Sequence, residues 1–215
     1  MNQNEEQLAA LNDIRKMMER SSKFISLNGF SGVFIGIFAL LGVATMAWFL
    51  HTNGSCYREL FSDTLTGNSA LNIQVFAIIS VAVLILSLLI SSWLTIRKAK
   101  KNGLKIWDKT TRIMLLNLMI PLVTGGVFCL ILLYHQLTGL IAPSMLIFYG
   151  LALINASKYT YPEVRILGIL EIITGLLASV FIPFGLIFWA FGFGILHIIY
   201  GWIMYYRYER QPSVK

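Results

Sequence analysis

Two ionisable side chains, Glu171 and His197, stand in stretches whose other residues are almost all apolar or small. A carboxyl and an imidazole placed together can hydrogen-bond, share a proton or hold a polar solute. Ionisable groups inside apolar runs are candidates for function on that ground alone. Two readings of the pair stay open. In one, the carboxyl is protonated and a hydrogen bond to His197 or to a hydroxyl fixes one helix against another. In the other, the pair is a proton-sensitive element or a solute contact.

Little else in the chain offers chemistry. HExxH, GxSxG, a Walker A loop and a paired intramembrane Asp are all absent, so no catalytic residue is predicted and no enzyme is expected. Cys56 falls in a connecting loop and Cys129 inside an apolar run, with no CxxC or Cys/His spacing. No disulfide, metal site or cofactor is therefore indicated. His51 and His135 stand alone. Asn117, Pro121 and Pro143 lie in apolar segments, where they either unwind backbone at a site or merely kink a helix. Ser80, Ser87 and Ser91 recur at helical spacing and read as hydrogen-bonding glue between helices. Asn53-Gly-Ser55 has the form of a glycosylation sequon.

The elements that must position Glu171 and His197 are set by where charge is missing. Of 215 residues, 57% are hydrophobic and 13% charged, with a mean hydropathy of +0.72. Soluble domains run near about 45–50% apolar and about 25% charged. No Asp, Glu, Lys or Arg occurs between Lys23 and Arg58, between Asp63 and Arg97, or between Arg112 and Lys158. Each gap exceeds the roughly 20 apolar residues that cross a hydrocarbon core. The chain reads as all-α, a polytopic membrane bundle of six helices at about 27–50, 71–96, 113–135, 138–157, 166–183 and 185–206. His51-Thr-Asn-Gly-Ser55, Lys101-Asn-Gly103, Tyr134-His-Gln-Leu-Thr-Gly139 and Pro183-Phe-Gly185 punctuate them and make three hairpins. The membrane domain is thus 27–208, between an N-terminal segment 1–26 and a tail 209–215. The mixed-charge N-terminal segment lacks the form of a cleavable signal, so its retention is expected.

Of the 17 Lys and Arg residues, only Arg58 falls on one side of this arrangement. The other side holds Arg15, Lys16, Arg20 and Lys23, then Arg97, Lys98, Lys100, Lys101, Lys105, Lys109 and Arg112, and finally Lys158, Arg165, Arg207, Arg210 and Lys215. The positive-inside rule makes that side cytoplasmic, with both termini there, in a plasma (inner) membrane. The formal charge of +7 is accounted for by this asymmetry. The 97–112 cluster reads as a topology determinant touching anionic lipid headgroups, and no nucleic-acid partner is expected. Trp48 and Tyr134 lie near the outer interface, and Trp93, Trp107, Tyr159, Trp202, Tyr205 and Tyr206 near the inner one.

Residues 5–25 are predicted to form an amphipathic cytoplasmic helix, with Leu8, Leu11, Ile14, Met18 and Ile25 on one face. That face either lies on headgroups or docks a partner protein or a second copy. Within the spans, small residues mark the faces where helices meet. Gly29, Gly32, Gly36 and Ala39 share their spacing with Gly168, Glu171, Gly175 and Ala178, and the last span carries Ala190, Gly194, His197 and Gly201. Glu171 and His197 therefore face protein. Counted from Arg165 and Arg207, they lie about 9 Å and about 15 Å into the membrane, within reach of one another on adjacent antiparallel helices.

Residues 167–206, with Leu-Gly-Ile-Leu-Glu-Ile-Ile-Thr-Gly, Pro183 and Gly194-Ile-Leu-His-Ile-Ile-Tyr-Gly201, resemble the hairpin unit of the acid-resistance membrane protein class of small six-span bacterial proteins. In that class a glycine-spaced span, a proline turn and a second glycine-spaced span recur three times. Ser31-Gly32, Thr124-Gly125 and Thr174-Gly175 are traces of such a repeat. The segment Ile14-Arg-Lys-Met-Met-Glu-Arg-Ser-Ser-Lys-Phe-Ile-Ser-Leu27 is similar to the start of uncharacterised small six-span bacterial inner-membrane proteins. This resemblance implies a bacterial inner membrane and no assigned activity. The expectation is a non-enzymatic inner-membrane protein acting through interactions or membrane stress. The alternative is a small-solute or proton transporter or channel using Glu171 and His197.

Overall fold

The computed structural model describes Gln7, residues 29–54, Tyr57, 67–101, Gly103, 107–208 and Arg210, with backbone alone at 67–70. The expected helix over 5–25, Cys56, Arg58, Lys105 and the tail beyond Arg210 lie outside the described residues. Among those described there is no strand. The helices are α1 (Gly29–Thr52), α2 (Gly67–Lys101), α3 (Lys109–Tyr134), α4 (Ile141–Ser157) and α5 (Pro162–Val180). A last rod follows in three parts: α6 (Gly185–Trp189), a π-helical segment (Ala190–Leu196) and α7 (His197–Tyr208). Five stretches are long and apolar enough to cross a membrane: Gly29–Thr52, Leu71–Lys101, Lys109–Tyr134, Thr138–Ser157 and Ile182–Tyr208. Several such helices in one chain mark a membrane protein. Helix is the form these runs must take, because lipid offers no partner to a free backbone group.

Local chemistry sets the ends. Asp108 caps α3, accepting from the Thr111 N–H at 2.7 Å and from the Thr111 hydroxyl at 2.6 Å. These bonds hold the Asp108 carboxyl below its usual range. They also start α3 at Lys109, ahead of the 113 read from hydropathy. Likewise α5 starts at Pro162 rather than near 166, because Tyr161 is extended and proline fits the first helical position. At the far end of α3, Gln136 takes a positive φ of 60°. Its N–H bonds Leu133 and the N–H of Leu137 bonds Leu132, a Schellman closure. Asn117 returns its amide to the Ile113 carbonyl, and α3 runs unbroken through Pro121. Pro143 lies in the first turn of α4, where its missing N–H goes unnoticed.

The most extensive pairings are α4 with α5 and α1 with the last rod, while α3 packs on α4 and α2 on α1. The two main pairings share one geometry. A methyl on Gly36 would come within 2.5 Å of the Gly194 carbonyl and 2.6 Å of Ile198 Cγ1. A methyl on Gly150 would come within 2.5 Å of the Gly168 carbonyl and 2.7 Å of Ile172 Cγ1. One turn along, Gly201 meets the Val33 N–H as Gly175 meets that of Ile147. Backbones this close are what small residues permit in lipid. The last rod and α5 also touch each other, through the π-helical segment and α7.

Candidate functional site

Two octapeptides build the site. Gly168-Ile-Leu-Glu-Ile-Ile-Thr-Gly175 in α5 and Gly194-Ile-Leu-His-Ile-Ile-Tyr-Gly201 in the last rod differ at only two positions. Their fourth residues are Glu171 and His197. Because α5 and the last rod run in opposite directions, the copies are inverted. Each leans its glycine carbonyl and its following Ile on a glycine of a third or fourth helix, Gly150 or Gly36. The two fourth residues then meet where the paired crossings face each other.

The contact is direct. Nδ1 of His197 lies 3.3 Å from Oε1 of Glu171, and the two residues are 1% and 0% exposed. Nε2 of His197 stands 2.8 Å from the hydroxyl of Tyr149 on α4. Nδ1 also lies 3.1 Å from the Gly192 carbonyl in the π-helical segment. A carbonyl can only accept, so Nδ1 carries a hydrogen. The backbone N–H of His197 bonds Gly194 instead. Neither oxygen of Glu171 makes a hydrogen bond. A carboxyl buried without a hydrogen bond is costly, and the ring of His197 is the basic group set against it.

The surroundings are aromatic on one side and polar on the other. The Phe193 ring lies 6.1 Å from that of His197 and 5.2 Å from that of Tyr149, and the tilted ring of Trp189 lies beyond it at 5.1 Å. At the opposite end, Arg207 pairs with Glu163 at 2.7 Å, and the Tyr208 hydroxyl donates to both Glu163 oxygens at 3.0 and 3.1 Å. The side chain of Arg207 is 64% exposed and that of Glu163 only 8%. This pairing joins the first turn of α5 to the last turn of α7, an acid and a base each at the favoured helix end.

The remaining residues singled out in the sequence fall into two groups. Gly29, Gly32, Gly36, Gly194 and Gly201 lie in the α1 seam with the last rod, and Gly168 and Gly175 lie in the α4–α5 seam. Arg97, Lys98, Lys100 and Lys101 end α2, and Lys109 and Arg112 open α3. Arg97 and Arg112 lie over Trp93 and Trp107 at 5.3 and 5.8 Å. Three participants were missed: Tyr149, Gly150 and Gly192. The Gly-Ile-Leu-x-Ile-Ile-x-Gly repeat is the signal that would have located the crossings. Among the described residues no group of three or more His, Cys, Asp and Glu side chains could hold a metal ion. No protein-family model, no curated protein and no solved structure matches this chain.

Proposed function

We propose that the chain is a six-span integral membrane protein with both termini in the cytoplasm. It acts through interactions or in response to membrane stress, rather than by catalysis or by conducting a solute. One observation carries the last point. Glu171 is fully enclosed, and Gly192 lies so near that a methyl on it would come within 2.6 Å of Oε2. The surface hollow lined by Trp202, Ile203, Tyr206 and Arg207 includes neither Glu171 nor His197. The six-span count rests on α5 pairing along α4 and on the one-sided Lys and Arg distribution.

A reporter fused within 97–112 should read cytoplasmic, and a periplasmic reading would end the topology. Purification in mild detergent should recover a second copy or a partner that is lost on deleting 5–25. A clean monomer across several detergents would count against the interaction role. Transport is the second reading, favoured by a buried carboxyl without a hydrogen bond at the meeting of two inverted crossings. Solute or proton flux in proteoliposomes that disappears in Glu171→Gln would put transport first.

A further inference from the structure

We infer that Glu171, His197 and Tyr149 form a binding site for a single proton, reached from the end of the bundle where Glu163, Arg207 and Tyr208 meet and closed at the other end. The inference goes beyond the interaction role and uses the membrane reading only to name that end as cytoplasmic.

The site is built to hold one proton. Both ring nitrogens of His197 have oxygen neighbours at 2.8 to 3.3 Å, from three different parts of the fold. The carboxyl beside it has no other partner. With the proton bound, an imidazolium directs Nε2–H at Tyr149 and shares Nδ1–H between the Gly192 carbonyl and Glu171. Without it, a neutral ring leaves the buried carboxylate uncompensated.

Access is one-sided. Tyr149 from α4 faces the pair, Tyr200 follows His197 by about one turn on α7, and α1, which packs against the π-helical segment, has no acidic, Lys or Arg residue. Farther along α7 comes Tyr208, whose hydroxyl donates to Glu163 on α5. Glu163 stands about two turns before Glu171 on the same helix, or about 12 Å along its axis. Toward the opposite end the ring meets Phe193 and then Trp189, whose indole N–H is buried without a partner. No relay continues there among the described residues. The step balances simply: Tyr149 gives its hydroxyl proton to Nε2 and is refilled from the Tyr200 side. The phenol ends unchanged and the ring gains one positive charge opposite Glu171.

A π-helical segment next to the ring supplies a part that can respond, since such insertions concentrate at functional sites. Its Gly192 carbonyl competes with Glu171 for the same Nδ1–H. Losing the proton strengthens the pull of the carboxylate on that hydrogen and loosens the hold on Gly192.

The test uses full-length protein labelled with ¹⁵N-histidine in detergent micelles, with His197 assigned by loss of its signal in His197→Asn. At neutral pH His197 should give an imidazolium signature that vanishes in Glu171→Gln and persists in Tyr149→Phe. Thermal melts of the variants report whether each is folded. In oriented proteoliposomes, a pH step on the Arg207 side should change the His197 signal, and a step on the other side should not. Tyr200→Phe should slow that response by at least about tenfold without changing its end point. A neutral His197 in the parent protein, an imidazolium that survives Glu171→Gln, or equal response from both sides would each overturn the proposal. Steady proton flux dependent on Glu171 would overturn it too, by making the site a conduit. The micelle measurement needs no topology, so its failure is separate from failure of the membrane reading.

Discussion

The Oε2 atom of Glu171 fills the space that a side chain on Gly192 would need. Carboxyl and glycine belong to different rods, so the depth to which α5 inserts its acid depends on a missing methyl in the π-helical segment.

Gly192→Ala should therefore destabilise the protein by about 1–3 kcal/mol, the usual cost of forcing atoms into a filled interior. Its added carbon would also meet Leu146 Cδ2 at 2.5 Å. Gly126→Ala is the control, because nothing lies within 4 Å of its added carbon. In α3 it should be neutral or stabilise by up to about 1 kcal/mol. Unfolding in mixed micelles, read by circular dichroism, checks both.

His197→Ala should cost more than Glu171→Gln. Removing the ring strands a buried carboxyl, a loss of about 3–5 kcal/mol, whereas the amide keeps shape and carries no charge. In a double-mutant cycle the two changes should be non-additive by about 0.5–3 kcal/mol. Additive effects would mean that the 3.3 Å contact carries no energy.

Gln136→Gly should stabilise by about 1 kcal/mol, since a left-handed φ of 60° disfavours any residue with a Cβ. The Schellman bonds made by the N–H groups of Gln136 and Leu137 are unaffected by the change. A fall in melting temperature would show that the Gln136 side chain makes a contact that matters more.

Asp108 should give α3 a mild acid sensitivity. Its carboxyl is held below the usual value, so its contribution is complete above the unfolded-state pKa and fades as pH falls through the folded one. Asp108→Ala should cost about 1 kcal/mol at neutral pH, and the difference from the parent should shrink in acid. A constant difference down to low pH would contradict the capping role.

Much of the bundle was legible because charges are absent where helices cross lipid, and an uncharged run needs no tertiary information to be read. The spacing of Gly29, Gly32, Gly36 and Ala39, echoed by Gly168, Glu171, Gly175 and Ala178, marks faces that are buried in the structure. Tyr149 was not legible, because an aromatic in an apolar helix looks the same whether it meets lipid or a histidine. Gly192 was hidden by the π-helical segment, which shifts the helical register and takes it off the stripe of Ala190, Gly194 and Gly201. The early starts of α3 and α5 depend on a cap and a proline, which hydropathy does not register.

Where Gly36 rests on the carbonyl of Gly194, two main chains touch with no side chain to cushion them. A soft seam would dissipate a small displacement of the last rod, but this one transmits it, as meshed gears do. Any reshaping around Gly192 must then turn or slide the first helix as well, along its run from Gly29 to Thr52.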